Sequence, residues 1–430
     1  MAKLLKQEVL ILFITISVFI LIRSLNFIWY LNFSGDQAMF STKALEIYRA
    51  HKFVLIGPPI SVNFHGRQIF QGPMIYYEFL LFLILGRFDP VSSSYLYMIF
   101  CALMVVPLYY GVKMLLSQKT AFIMVALYTL FPFYIDFTRF LWNPNFQFSL
   151  VPILILLMGL YKKMKNNWIF LGISVLLGVM LQYHYQFALI ILGLFFYYLL
   201  VVKVRHKQVA LYILGVLIGF FPVILFEVRN HFYNIQTIIL FLKNYSKLDK
   251  PGGNNRGHYF LSISFMTILL LVGLFNQKLA KIKPKQIKAF YLLVLAVALW
   301  DLFIYSPKPQ TAFWSAAENW NYPAEYRVYQ IIKEKNLKDY NVSNLGYDTL
   351  ALVPKYLLKR DNVNINYEDY YHNHYLFVVE EKKKQDFMSD PAYEVGTFRP
   401  YTTLKQWKIN DYYNMYLVER GSSSGASTGH

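Results

Sequence analysis

The chain has 430 residues, of which 56% are hydrophobic and only 15% charged, with a net charge of +18. Soluble proteins carry roughly 25% charged residues, so an ordinary soluble domain is excluded. A nucleic-acid partner is excluded too, because the basic residues sit in short clusters between apolar stretches, the pattern of cytoplasmic loops between membrane helices.

A spanning helix needs roughly 20 mostly apolar residues. In chain order the apolar stretches are 8–31, 93–115, 120–136, 146–161, 167–183, 186–202, 208–226, 258–276 and 288–305. They predict about nine membrane-spanning helices, several of them borrowing flanking residues. The first is too long for a signal-peptide core and lacks a small-residue cleavage site, so it reads as a retained helix. Lys3 and Lys6, Lys113 and Lys119, Lys162 to Lys165, Lys203 to Lys207, and Lys278 to Lys288 all fall on one side of this alternation. The positive-inside rule makes that side cytoplasmic, the N-terminus with it. The stretch 73–86 is short and carries Glu78, so it reads as an interfacial or partly re-entrant helix on the outer face. The single cysteine, Cys101, lies in an apolar run and allows no intrachain disulfide and no cysteine metal cluster.

The unusual polar residues gather in the outer segments 32–92, 137–145, 227–257 and 306–430 and in the turn at 183–186. Asp36 stands where the first span gives way to a surface helix. It reads either as an N-cap, accepting from free amides at the helix start, or as a carboxylate held at the membrane surface as a general base. Asp136 and Arg139 stand at helical spacing before Trp142-Asn143-Pro144; they read as a functional pair or as partners of each other. His184 lies between Tyr183 and Tyr185. Glu227, Arg229 and His231 end the seventh stretch, and 235–245 reads as a further surface helix. Arg256 follows in a Gly-, Pro- and Asn-rich loop, where basic residues meet either a specific anionic headgroup or bulk lipid phosphate.

From residue 306 the charge rises and the long apolar runs end. Helices at 325–336 and 350–359 and strands at 340–345, 375–379 and 412–418 predict a small extracytoplasmic α/β domain over 306–420. It has no phosphate loop, serine elbow or metal-spaced cluster, so it reads as an accessory or acceptor-contacting domain beside a membrane domain over 1–305. Residues 421–430 resemble an expression-tag remnant.

This arrangement resembles the GT-C superfamily of membrane glycosyltransferases, and within it the family-39-type enzymes, the protein O-mannosyltransferases and lipid A aminoarabinose transferases. The likeness covers roughly residues 8–250. It rests on Ser34-Gly-Asp36-Gln-Ala in a long first outer loop, Gln71-Gly-Pro73-Met-Ile-Tyr-Tyr before the interfacial helix, and Phe131-Pro132 with Thr138-Arg139-Phe-Leu-Trp-Asn143-Pro144. The resemblance implies a polytopic helical fold in the plasma (inner) membrane, a polyprenyl-phosphate sugar donor, and a lipid, glycan or protein acceptor. It implies that Asp36 is the catalytic residue. The family's second-loop acid is replaced by Asn143, which puts metal binding at that loop in doubt, and its basic residue before the interfacial helix is replaced by Gln71. No cofactor is certain, and a divalent metal has no support in the residues. Donor-phosphate or substrate contacts then fall to Arg67, Arg139, Asn143, His184, Arg229 and Arg256. A lipid-linked-sugar flippase, a transporter and a noncatalytic membrane scaffold are the competing classes. Transporters usually carry repeats and polar groups at mid-bilayer; here the conspicuous charges lie at helix ends.

Overall fold

The computed structural model describes residues 2–64, 66–244, 260–281, 284–312, 317–366, 369–383 and 389–421. Helix α1 (Ala2–Ser24) is followed by a single turn, α2 (Phe27–Tyr30), and by α3 (Gly35–Ala50). Strands β1 (Pro59–Phe64) and β2 (Arg67–Phe70) form a hairpin. Then come α4 (Met74–Leu85), α5 (Pro90–Leu103), α6 (Val105–Leu115), α7 (Gln118–Leu130), α8 (Pro132–Phe137), α9 (Asn143–Met164), α10 (Asn167–Leu181) and α11 (Ala188–Phe196). Next are α12 (His206–Gly219), α13 (Phe221–Arg229), α14 (Tyr233–Asn244), α15 (Leu261–Leu274), α16 (Asn276–Ala280) and α17 (Pro284–Tyr305). The remainder holds α18 (Tyr322–Lys335), β3 (Tyr340–Asn344), α19 (Leu352–Arg360), β4 (Tyr375–Glu381), α20 (Tyr393–Gly396), β5 (Tyr401–Lys408) and β6 (Tyr413–Arg420).

Among the described residues, four helices are long and apolar enough to cross a membrane: 7–24, 90–115, 143–164 and 185–202. The pair α12 and α13, bent by 70° at Phe220, makes a fifth if it is one span. Helices α4, α10, α15 and the 289–305 part of α17 are apolar but shorter. Described helices overlap each expected stretch, with breaks at Met104, Phe131 and Phe220, and residues 258 and 259 lie outside the described residues. Two ends differ from expectation. The first helix stops at Ser24 and not near residue 31, because Asn26 takes a left-handed backbone (φ 46°), which Asn tolerates and a helix does not. The third stretch stops at Leu130, because Phe131 precedes Pro132 and is held extended.

The chain divides into two compact units. The first comprises residues 1–25 and 47–307; the second comprises 26–46 and 308–430. Asn26–Glu46, expected within the membrane domain, thus folds with the C-terminal segment. In the first unit, close packing of helices depends on glycine. A Cβ on Gly219 would lie 2.1 Å from Val175 O, and one on Gly111 would lie 2.6 Å from Leu156 N.

In the second unit the sheet order is β3-β4-β6-β5, with β3 and β4 parallel and the other pairs antiparallel. Leu376, Val378 and Val418 form an apolar cluster with Tyr370, Val395 and Phe398. Strand β5 was not foreseen: Thr402, Thr403, Lys405 and Gln406 leave it largely exposed at the sheet edge.

Candidate functional site

In the second unit, Asp36 lies exposed in the first turn of α3. The cap comes from its neighbours: Ser34 donates through its amide (3.1 Å) and its hydroxyl (2.6 Å) to Gln37 Oε1. Asp36 therefore stands inside the helix start, where a carboxylate is favoured by the free amides of the first turn. The start of α3 is held by the Gly35 amide, which donates to Tyr347 Oη at 3.4 Å. Phe33 packs edge-on to Tyr322, centroids 6.0 Å apart, and beside Tyr356 at 5.6 Å. Near its other end, Glu46 pairs with Lys359 of α19 at 2.5 Å. Acids collect behind this helix start. Burial raises the Asp348 carboxyl, which accepts from Leu352 N at 2.8 Å. Burial pushes Glu325 up to about 8; its Oε1 accepts from Trp320 Nε1 at 2.7 Å. Burial, opposed by hydrogen bonds from Ser34 and Gly35, lifts the Tyr347 hydroxyl to about 12.

In the first unit, three of the expected residues gather around β2 and the turn that follows it. Arg67 stacks on Tyr233 at 4.6 Å and reaches Gln236 Oε1 at 3.5 Å. Asn143, buried at the start of α9, donates to Gln71 Oε1 at 3.1 Å and to Tyr183 O at 3.4 Å. His184 accepts the Gln186 amide at Nδ1 (3.4 Å), and its carbonyl accepts from Gln147 (3.4 Å). Backbone bonds fix the frame. Gly72 donates to Gln182 O at 2.9 Å, and Tyr185 Oη donates to Phe70 O at 2.5 Å. Gly72 is required here, since a Cβ would meet the Gln182 side chain at 2.4 Å. Asn234 exchanges hydrogen bonds with the Phe70 backbone, and Glu227 accepts the Asn234 and Ile235 amides at 3.2 Å each.

The other expected residues lie elsewhere. Arg139 is buried, with Nη2 on Ile22 O at 3.0 Å, its guanidinium over the Tyr305 ring at 4.2 Å and Nη1 3.7 Å from Asp136. The pairing with Asp136, one of the two alternatives open in the sequence, is present. Arg229 is exposed at the end of α13. Arg256 lies outside the described residues. Among the described residues no group of three or more His, Cys, Asp or Glu stands together as a metal site would.

Sequence reading missed Arg23, which is fully buried near the end of α1. It donates to Thr138 Oγ1 (2.6 Å) and Thr129 O (2.9 Å) and lies over the Phe19 ring at 3.4 Å. The signal was present: an arginine inside an apolar span is costly unless it is used. The direct Asn143–Gln71 bond was missed as well, since it joins residues 72 positions apart.

Residues 70–226 match the family model for dolichyl-phosphate-mannose-protein mannosyltransferase. The whole fold is similar to that of ArnT from Cupriavidus metallidurans, solved bound to undecaprenyl phosphate. The TM-score is 0.55 at 12% identity, with 97% of this chain and 98% of that one covered. No curated protein matches the sequence. The chain thus has the fold of a polytopic helical membrane protein, and both matches agree with the GT-C likeness read from its motifs.

Proposed function

We propose that this protein is an integral-membrane glycosyltransferase that moves a sugar from a polyprenyl-phosphate donor to an extracytoplasmic acceptor hydroxyl. The match of residues 70–226 to a family of lipid-phosphate-sugar transferases carries this reading, and the ArnT-like fold supports it. Undecaprenyl phosphate, to which that ArnT is bound, is the kind of lipid the reading requires. The reading keeps nine membrane spans, a cytoplasmic N-terminus and an extracytoplasmic second unit in the plasma (inner) membrane.

In this mechanism Asp36 takes the proton from the acceptor hydroxyl as its oxygen attacks the anomeric carbon. A single displacement inverts that carbon and releases the polyprenyl phosphate. General-base assistance of this kind supplies about 10²–10⁴-fold in rate. Arginine suits the leaving phosphate, because its planar fork makes paired charge-assisted bonds to developing negative charge. Arg67 and Arg229 are the first candidates for that role, since Arg139 is tied to Ile22, Asp136 and Tyr305. Arg256, Asn143 and His184 complete the proposed contacts. The exposed position of Asp36 at a helix start supports the base assignment.

Photolabelling with a diazirine-bearing polyprenyl phosphate tests the donor class. Saturable labelling that undecaprenyl phosphate competes away is expected. Labelling that never saturates would point to a noncatalytic scaffold.

A further inference from the structure

Within the second unit a cleft of about 270 Å³ is lined by Trp29, Gln310, Asn319, Asn410, Asp411 and Tyr412, among others. Its volume falls just below the roughly 300–1,000 Å³ of small-molecule sites, which suits one small ring rather than a lipid. The frame is built by hydrogen bonds that consume some of the amides. Asn410 donates to Asn319 O at 3.0 Å and accepts the Tyr412 and Tyr413 amides. Asn321 donates to Gln310 O at 3.0 Å and accepts the Ala324 amide. Asn319 N is fixed on Thr311 Oγ1 at 2.8 Å, and its left-handed backbone (φ 59°) is one that Asn accepts readily.

The side-chain amides of Gln310 and Asn319 and the indole N–H of Trp29, by contrast, make no hydrogen bond to other described residues. The cleft therefore joins an indole and a phenol to two uncommitted amides on a hydrogen-bonded frame. Among the described residues no Lys or Arg lines it, and its one acid, Asp411, is paired with Lys408 at 2.6 Å. Lys308 sits 5.3 Å from the Trp29 ring, so the platform is steadied by a cation that is not itself part of the lining. An anion would find no lining cation, and an acyl chain would strand the amides without partners. A sugar ring meets both demands: its C–H face lies on the indole, and its hydroxyls reach amides that both donate and accept.

We propose that this cleft binds a neutral saccharide unit. That the saccharide is part of the acceptor rests on the transferase reading above; the binding itself does not.

The test uses the full chain in nanodiscs and saturation-transfer NMR. The probes are methyl α-mannopyranoside, methyl β-glucopyranoside and methyl β-galactopyranoside, with inorganic phosphate as the anionic comparison. At least one glycoside is expected to bind saturably. Trp29→Ala and Asn319→Ala should each weaken that binding roughly three- to tenfold while leaving donor photolabelling intact. Should Trp29→Ala misfold, Gln310→Ala replaces an exposed side chain that makes no hydrogen bond to other described residues, and it should weaken binding likewise. The proposal falls if no glycoside saturates, if phosphate alone binds, or if the folded variants bind as the parent does. Failed glycoside binding beside normal photolabelling sinks the cleft and spares the transferase. Glycoside binding without photolabelling keeps the cleft and sinks the transferase.

Discussion

Arg23 and Arg139 hold the first unit together by reaching past each other. Arg23 donates to Thr138, the residue before Arg139, at 2.6 Å; Arg139 donates to Ile22, the residue before Arg23, at 3.0 Å. The end of α1 is thereby latched to the turn after α8, and both guanidiniums are buried. Arg23 spreads its charge over carbonyls, the Thr138 hydroxyl and the Phe19 face, and Arg139 over the Ile22 carbonyl, the Tyr305 face and the nearby Asp136 carboxylate, which offsets part of the cost of burial. Breaking a buried charged interaction typically costs about 3–5 kcal/mol. Arg23→Met and Arg139→Met should each lower the melting temperature in detergent by several degrees. Arg139→Lys should not restore it, because a single ammonium cannot serve both Ile22 O and the Tyr305 ring. An unchanged melting temperature in both Met variants would contradict the latch.

The Asn143–Gln71 bond makes a second prediction. Asn143→Leu leaves the Gln71 carbonyl buried without this donor, at a cost of about 1–3 kcal/mol. Asn143→Asp should cost less, since Gln71 can turn its NH₂ toward the new carboxylate. Thermal unfolding of the two variants against the parent reads the order. Equal losses would argue against the pairing.

The helix that carries Asp36 is fixed at two points by the segment 347–359. The Lys359–Glu46 pair is partly exposed, so Lys359→Met should cost at most about 1 kcal/mol of stability. Its effect on transfer should be larger, because a misplacement of about 1 Å can cost roughly 10²-fold in rate. For Lys359→Met and Tyr347→Phe the expected result is a reduced kcat with an unchanged donor KM, and Lys359→Arg should recover most of it. A loss confined to stability would make these residues part of the scaffold only.

What the sequence revealed, and what it hid, follows from the range of the interactions involved. Periodic apolar runs exposed the helices, alternating or continuous apolar patterns exposed β4 and β6, and Tyr340–Leu345 read as a short strand. Strand β5 lacked that signal because Lys405 and Gln406 face solvent at an edge. The union of 26–46 with the C-terminal segment was invisible, because it depends on Phe33 meeting Tyr322 and Tyr356 some three hundred positions away. The resemblance pointed to Asp36 through a short local motif. It could not show that Arg139 is committed to Ile22 and Tyr305, since neither contact leaves a periodic trace.

Glu325 gives the second unit a pH dependence with a definite sign. Burial lifts its carboxyl to about 8 in the fold, against an ordinary value of about 4.3 when unfolded. The folded state thus binds the proton more tightly. The stability linked to it is complete below about pH 4 and is lost as pH rises through about 8. Glu325→Gln keeps an acceptor for Trp320 Nε1 and removes the ionisation. Between pH 6 and 9 the parent's melting temperature should fall more steeply than that of the variant. Parallel curves would contradict the assignment.

The most direct measurement is sugar transfer by Asp36→Asn protein, reconstituted in vesicles with a radiolabelled polyprenyl-phosphate sugar and its acceptor. The exposed side chain lets the variant fold and take up donor photolabel as the parent does. Transfer should drop by about 10²-fold or more. Parental transfer rates from a correctly folded Asp36→Asn protein would show that this carboxylate is not the base.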